Sequence, residues 1–167
     1  MNDEELLERL MKEYGDSLLR TCYLYLKDYH LAEDAVQETF LKAVHSYGNL
    51  KKQSSEKSWL VRIAINNCKN LMRTAWFRFN RRGLPNEEIA VSDKNFDYLL
   101  EHSALVGAVS LLSRADREVI LLYYYQGLTV KEVARIINKS ENTTAQRLKR
   151  ARARLKKQLL EAGYDEL

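Results

Sequence analysis

The 167-residue sequence is poor in the residues that break or staple a chain. It has one proline, Pro85, and six glycines. So few turn formers exclude a loop-rich fold and favour helices joined by few reversals. Its two cysteines, Cys22 and Cys68, stand far apart inside apolar helical patterns and have no C-x-x-C spacing. That excludes a disulfide framework, and both read as small buried residues of a reducing compartment. The three histidines, His30, His45 and His102, are scattered and form no ligand set with the cysteines, so neither a metal nor a cofactor is expected. The longest apolar run, Val119 to Tyr125, is far short of the roughly 20 residues a bilayer-spanning helix needs, so no membrane insertion is expected. The first ten residues, MNDEELLERL, are acidic and amphipathic, unlike a secretory signal, and the expected location is cytoplasmic. Period-two alternation over a strand length is missing as well, which leaves an all-α chain.

Charge is plentiful, and it is segregated. The formal net charge of +4 conceals blocks of −5 over residues 1–50, +8 over 51–82, −4 over 83–105 and +4 over 139–167. Two basic blocks separated by acidic ones predict two contacts with a polyanion and at least one surface for something else.

Helical periodicity covers most of the chain. Leu6, Leu7, Leu10, Met11 and Tyr14 begin an apolar face that resumes with Leu18, Leu19, Cys22, Tyr23 and Leu26, and Asp28 to His30 marks a break. The next stripe is Leu31, Ala35, Val36, Thr39, Phe40, Ala43 and Val44. After the turn-rich Ser46-Tyr47-Gly48-Asn49, a long helix from about Glu56 carries Trp59, Leu60, Ile63, Ala64, Asn67, Leu71 and Met72 inward. Arg81-Arg82-Gly83-Leu84-Pro85-Asn86 and its acidic sequel form the best linker candidate. The expected organisation is two small helical domains, residues 1–80 and 105–167, joined by a flexible linker over 81–104.

The most specific segment is Ser113 to Leu160. Gly127 closes an apolar helix, where a left-handed residue is wanted. Thr129 and Glu132 have capping-box spacing, and Val130, Val133, Ala134 and Ile137 form a buried stripe behind them. Asn138-Lys139-Ser140 supplies a turn whose serine can cap the last helix. On that helix Thr144, Leu148, Ala151, Leu155 and Leu159 pack, while Thr143, Gln146, Lys149 and Arg150, with Arg147 at the edge, share another side. Lys139 to Lys157 holds eight Lys/Arg against the single Glu141. Short polar side chains at the start of a helix with cations behind them suit a major groove, which reads as a DNA-binding helix-turn-helix.

Two further constellations stand ahead of it. Glu33, Asp34, Gln37, Glu38 and Leu41 share an exposed helix side. Solvation, a carboxylate metal site at Asp34 and Glu38, and docking of a basic protein partner with Leu41 as anchor all fit that pattern. The block from Lys51 to Arg82 interleaves Lys51, Lys52, Arg62, Lys69, Arg73, Arg78, Arg81 and Arg82 with Trp76, Phe77 and Phe79. Rings beside cations are the chemistry of single-stranded nucleic acid, to which Asn66 and Asn70 add base-reading amides. The same rings also serve to cover the end of a domain, and Trp59, on the apolar stripe, reads as core.

Taken in order, LAEDAVQETFLKAV (Leu31–Val44), SWLVRIAINNCKNLMR (Ser58–Arg73) and the helix-turn-helix with RLKRARARLKKQL (Arg147–Leu159) resemble the bacterial RNA polymerase sigma factors of the extracytoplasmic-function group. The resemblance spans nearly the whole chain and implies a sigma region 2-like bundle and a region 4-like helix-turn-helix. It implies that Glu33, Asp34, Gln37, Glu38 and Leu41 dock on the clamp helices of the largest subunit of core RNA polymerase. It implies that Lys51, Lys52, Arg62, Asn66, Lys69, Asn70 and Arg73 meet the minus-ten element, with a flipped base held by the 46–54 loop. It assigns Asn142, Thr143, Gln146, Arg147, Lys149 and Arg150 to the minus-thirty-five element of promoter DNA. An anti-sigma factor is the further partner it implies, and no catalytic residues are expected, because the polymerase does the chemistry.

The sequence departs from the family pattern at three places. Asn70 stands where Asp is usual, Ser113 replaces the proline common at the start of the C-terminal domain, and Asn142-Thr143-Thr144 replaces Gly-Thr-Val. Thr144 puts a hydroxyl on a packing face and wants a carbonyl one turn back. The rival readings are a stand-alone helix-turn-helix regulator binding duplex operator DNA and a metal-dependent nuclease using Asp34 and Glu38.

Overall fold

The computed structural model describes residues 1–50, 55–81 and 103–164, and their side chains outside 76–81. Among these residues every regular element is helical. They fall into two compact units, one within residues 1–92 and one within 93–167. The expected linker lies outside the described residues except at its margins: α3 runs on to Arg81, and the next helix begins at Ala104.

Local chemistry sets the helix ends of the first unit. Helix α1 (Asp3–Leu26) opens on a capping box, in which the Glu5 N–H donates to Asn2 Oδ1 at 2.8 Å and the Asn2 N–H to Glu5 Oε2 at 3.2 Å. It closes at Lys27, which takes a left-handed φ of 57° and donates its N–H to the Tyr23 carbonyl at 2.7 Å. Asp28 then caps α2 (Tyr29–Ser46) by accepting from the Leu31 N–H at 3.0 Å, so the expected break falls one residue ahead of its predicted span. A short 3-10 turn (Tyr47–Asn49) leads out of α2, and α3 (Glu56–Arg81) returns along it.

The three helices bury Leu6, Leu10, Leu18, Cys22, Tyr25, Ala35, Phe40, Leu60, Ala64 and Ile65. Both cysteines are free and buried, as read from the sequence. Met11, expected on the apolar face, is 52% exposed instead, because Leu10 occupies the seam and leaves its neighbour outside. On α3 the buried set also takes in Val61, Ile65 and Cys68. Both α1 and α2 pack against α3, so it hides two adjoining faces where a one-stripe reading finds only one.

A polar hub ties these helices together. Glu56 accepts both guanidinium prongs of Arg9, at 2.8 and 2.7 Å, and the Tyr14 hydroxyl at 3.0 Å. It also accepts from the Tyr47 hydroxyl. The Arg9 fork above all, with both phenols, holds the Glu56 carboxyl down at about 2. The same carboxylate, together with burial, pushes both phenols up.

In the second unit α4 (Ala104–Leu111) is capped by Ser103, and α5 (Arg114–Ile120) by Ser113, whose Oγ accepts from the Asp116 N–H at 3.3 Å. A π turn (Leu121–Tyr125) continues α5, with the Gln126 N–H reaching the Leu121 carbonyl at 2.9 Å. Gly127 follows at φ +69°, the left-handed position read from the sequence. The Thr129–Glu132 capping box starts α6 (Val130–Ile137), Asn138 ends it in a left-handed conformation, and Ser140 caps α7 (Glu141–Glu161). Val119, Leu122, Leu128, Val133, Ala134, Ile137, Ala151 and Leu159 form the core.

Because the Glu56 carboxyl is depressed from its ordinary 4.5 to about 2, its contribution to stability is complete above 4.5 and is lost as pH falls through that interval. The difference in urea midpoint between the wild type and Glu56→Gln is therefore expected to be constant at neutral pH and to shrink below pH 4.5. A difference that persists unchanged at pH 2 contradicts the hub.

Candidate nucleic-acid interface and docking face

In the second unit the capped N-terminus of α7 presents Asn142, Thr143 and Gln146 to solvent. The Ser140 hydroxyl oxygen accepts from the Thr143 N–H at 3.0 Å, and its O–H donates to Thr143 Oγ1 at 2.9 Å. Thr144 is fully buried and donates its hydroxyl to the Ser140 carbonyl at 2.8 Å, the bond its placement demands. The departure from valine at this position is thereby accommodated inside the first turn. Lys149 and Arg150 are exposed on the same helix, with Arg147 half-buried at the edge of the face. Arg150 reaches Gln146 Oε1 at 3.5 Å, which joins two of the six predicted readers.

Farther along, α7 turns cations back onto its own unit. Arg154 donates to buried Asp116 at 2.5 Å, and Arg152 donates to the Tyr124 hydroxyl at 3.2 Å. These bonds fasten α7 to α5 and to the π turn. The sequence reading counted these arginines only as charge.

In the first unit, the one side of α3 left uncovered by α1 and α2 exposes Arg62, Asn66, Asn70 and Arg73, with Lys69 half-buried among them. The Arg73 guanidinium donates to Asn70 Oδ1, a pairing that an aspartate at position 70 would convert to an ion pair. Lys51, Lys52, Trp76, Phe77, Arg78 and Phe79 lie outside the described side chains, and so do residues 51–54 of the 46–54 loop. Trp59 is half-buried, and its ring meets Tyr47 edge-on at 5.9 Å.

An open groove of about 440 Å³ runs between the end of α2 and this side of α3. Lys42, His45 and Ser46 line one wall, and Ile63, Asn66, Asn67 and Asn70 the other. A hydrogen-bond chain runs from the groove into the core. Lys42 Nζ donates to Asn67 Oδ1 at 2.7 Å, Asn67 Nδ2 to Thr39 Oγ1 at 3.0 Å, and the Thr39 hydroxyl to the Ala35 carbonyl at 2.6 Å. The groove thus combines a cation with carboxamides, a donor–acceptor mixture suited to a nucleotide strand. Lys42 escaped the sequence reading because it sits one turn behind Glu38, 3.7 Å away, and resembles an ordinary helix-surface pair.

The predicted docking residues gather on the outer side of α2. Asp34, Gln37, Glu38 and Leu41 are exposed, Leu41 at 53%, and Glu33 is half-buried beside them. Among the described residues no group of three or more His, Cys, Asp or Glu side chains is placed to hold a metal ion. No helix among them is long and apolar enough to cross a membrane.

This arrangement matches known proteins along its length. The family model for Sigma-70 region 2 matches residues 10–78, and that for Sigma-70, region 4 matches residues 102–155. The chain is 32% identical over 165 residues to the ECF RNA polymerase sigma factor SigM of Bacillus subtilis, covering 90% of this chain and 93% of that one. It is 33% identical over 138 residues to the ECF RNA polymerase sigma factor BldN of Streptomyces coelicolor, covering 80% of this chain and 52% of that one. Among solved structures it resembles the sigma factor RpoE of Bartonella quintana, crystallised with the anti-sigma factor NepR. That likeness has a TM-score of 0.73 at 24% identity, covers 91% and 95% of the two chains, and speaks for the fold.

Asn67 joins Lys42 to Thr39 from a site only 3% exposed. Asn67→Ala leaves the Lys42 ammonium and the Thr39 hydroxyl without that partner, at an expected cost of roughly 1–3 kcal/mol of stability. Urea unfolding measures this, and a change below about 0.5 kcal/mol, the usual range for surface sites, denies the chain its structural role.

Proposed function

The chain belongs to the sigma-70 family, in its extracytoplasmic-function group, and we propose that its two units divide promoter reading between single-stranded and duplex DNA. As a sigma factor it binds core RNA polymerase and directs promoter-specific transcription initiation. The observation that carries the division is the contrast between the two basic faces. On α7 short polar side chains lead and cations follow on one convex helix, a shape that enters a major groove. On α3 the carboxamides of Asn66, Asn67 and Asn70 line a groove opposite Lys42, on the helix side that also exposes Arg62 and Arg73, a shape suited to a strand whose bases are unstacked.

In this reading Asn142, Thr143, Gln146, Arg147, Lys149 and Arg150 read the upstream element, and Arg62, Asn66, Lys69, Asn70 and Arg73, with Lys51 and Lys52, meet the minus-ten strand. Exposed Asp34, Gln37, Glu38 and Leu41, with Glu33, form the face that docks on the polymerase, where acidic groups around an apolar anchor suit a basic partner. The bond-making chemistry belongs to the polymerase, and the protein acts in the cytoplasm. The RpoE structure from Bartonella quintana contains an anti-sigma factor, and control by a protein of that kind is proposed here too. Specific transcripts from run-off reactions of purified core polymerase with this protein on genomic fragments test the whole. A footprint on duplex operator without core polymerase favours a stand-alone regulator instead.

Lys149→Ala and Arg150→Ala are expected to weaken upstream-element binding by roughly 1–3 kcal/mol where a base edge is lost, and less where only a phosphate is lost. Equal affinity in a duplex binding titration removes these residues from the interface. Reversing Glu33, Asp34 and Glu38 together to Lys is expected to abolish co-purification with core polymerase at unchanged helicity. Retained association at normal yield relocates the docking face.

A further inference from the structure

We propose that Glu56 is a positioning residue for promoter-strand reading: from the start of α3 it holds Tyr47, and through Tyr47 it holds Trp59, at the head of the helix face that lines the α2–α3 groove. Tyr47 donates its hydroxyl to Glu56 and accepts from Arg9 Nη2 at 3.0 Å, so the phenol is fixed from two sides. Its ring meets Trp59 edge-on, with an interplanar angle of 74°. Trp59 heads a row with Ile63, Asn66, Asn67 and Asn70 at helical spacing, and the last four form one wall of the groove. Arg9 and Tyr14 on α1, Tyr47 on the turn leaving α2, and the first residue of α3 thus converge on a single carboxylate.

An acidic residue in the first turn of a helix is satisfied by the helix dipole alone and needs no such company. An exposed ion pair here would be worth little. This carboxylate is 20% exposed, gripped by a two-pronged guanidinium and shared by two phenols, an arrangement that fixes geometry as much as it adds stability. Side chains that read a ligand need such support, because small misplacements forfeit selectivity. The proposal rests on the reading of the α3 side as the minus-ten surface.

The test compares core polymerase reconstituted with full-length wild type, Glu56→Gln, Arg9→Lys and Asn66→Ala. Initiation is measured on the strongest run-off promoter and on the same promoter with its minus-ten element replaced. Glu56→Gln is expected to lower the ratio of the two rates by about tenfold, within the coupling range of networked side chains, with dependence on the upstream element unchanged. Arg9→Lys keeps the charge but gives up the fork, and it is expected to lower the ratio less; it carries the test if Glu56→Gln fails to fold. If the variants lower both rates equally, Glu56 is merely structural and the proposal is overturned. A lowered ratio in Asn66→Ala with an unchanged one in Glu56→Gln overturns the positioning role alone. If Asn66→Ala leaves the ratio intact as well, the reading of α3 falls and takes the proposal with it.

Discussion

The N-terminal unit depends on a constraint that α3 satisfies under pressure from three directions. Two of its faces must be apolar, because α1 and α2 both pack on it, and the third, which carries Arg62, Asn66, Asn70 and Arg73, is polar and exposed. A helix so divided has little freedom to rotate: a turn of a few tens of degrees buries Arg62 or exposes Leu60. Apolar burial resists that rotation along the length of the helix, and the Glu56 hub resists it at the N-terminal end. The groove with its cation and carboxamides is the space that remains once those contacts are made.

The C-terminal unit solves the same problem with different materials. Its helix α7 packs through Thr144, Ala151 and Leu159, and polar bonds supplement that burial. Asp116, itself nearly buried, holds Arg154, and the Tyr124 hydroxyl on the π turn holds Arg152. Tyr124 lies within the π turn itself and meets Arg152, 28 residues later in sequence.

Much of this was legible in the sequence because it is local. Capping chemistry is written within four residues, and Thr129 with Glu132, Ser113, Ser140 and Gly127 all occupy the positions their types predict. The buried hydroxyl of Thr144 and its carbonyl partner were likewise fixed by helix geometry alone. What stayed hidden is long-range and polar. Arg9 and Glu56 are 47 residues apart, Lys42 and Asn67 are 25 apart, and Asp116 and Arg154 are 38 apart. Asn67 falls on the inward stripe, but its partner Lys42 and the other four look like ordinary helix-surface charges until the helices meet. The second buried face of α3 was hidden for the same reason, since periodicity reveals that a face is apolar but not how many neighbours cover the helix.

These internal bonds also revise what the charge pattern means. From Lys139 to Lys157 the sequence carries eight cations, and a count of charge alone makes the whole helix a phosphate contact. Arg152 and Arg154 have partners within the protein, so the second half of α7 anchors the helix as well as contributing field. The first half, from Asn142 to Arg150, is the half proposed to read DNA, and the Ser140 cap and the buried Thr144 hydroxyl set its orientation. Helix α7 is thus held near both ends by bonds inside its own unit. The N-terminal unit instead offers a groove between two helices, with a hydrogen-bond chain behind its wall. The two units present their exposed cations on differently shaped surfaces, a single convex helix and a two-helix groove, and the proposed division of promoter reading rests on that difference.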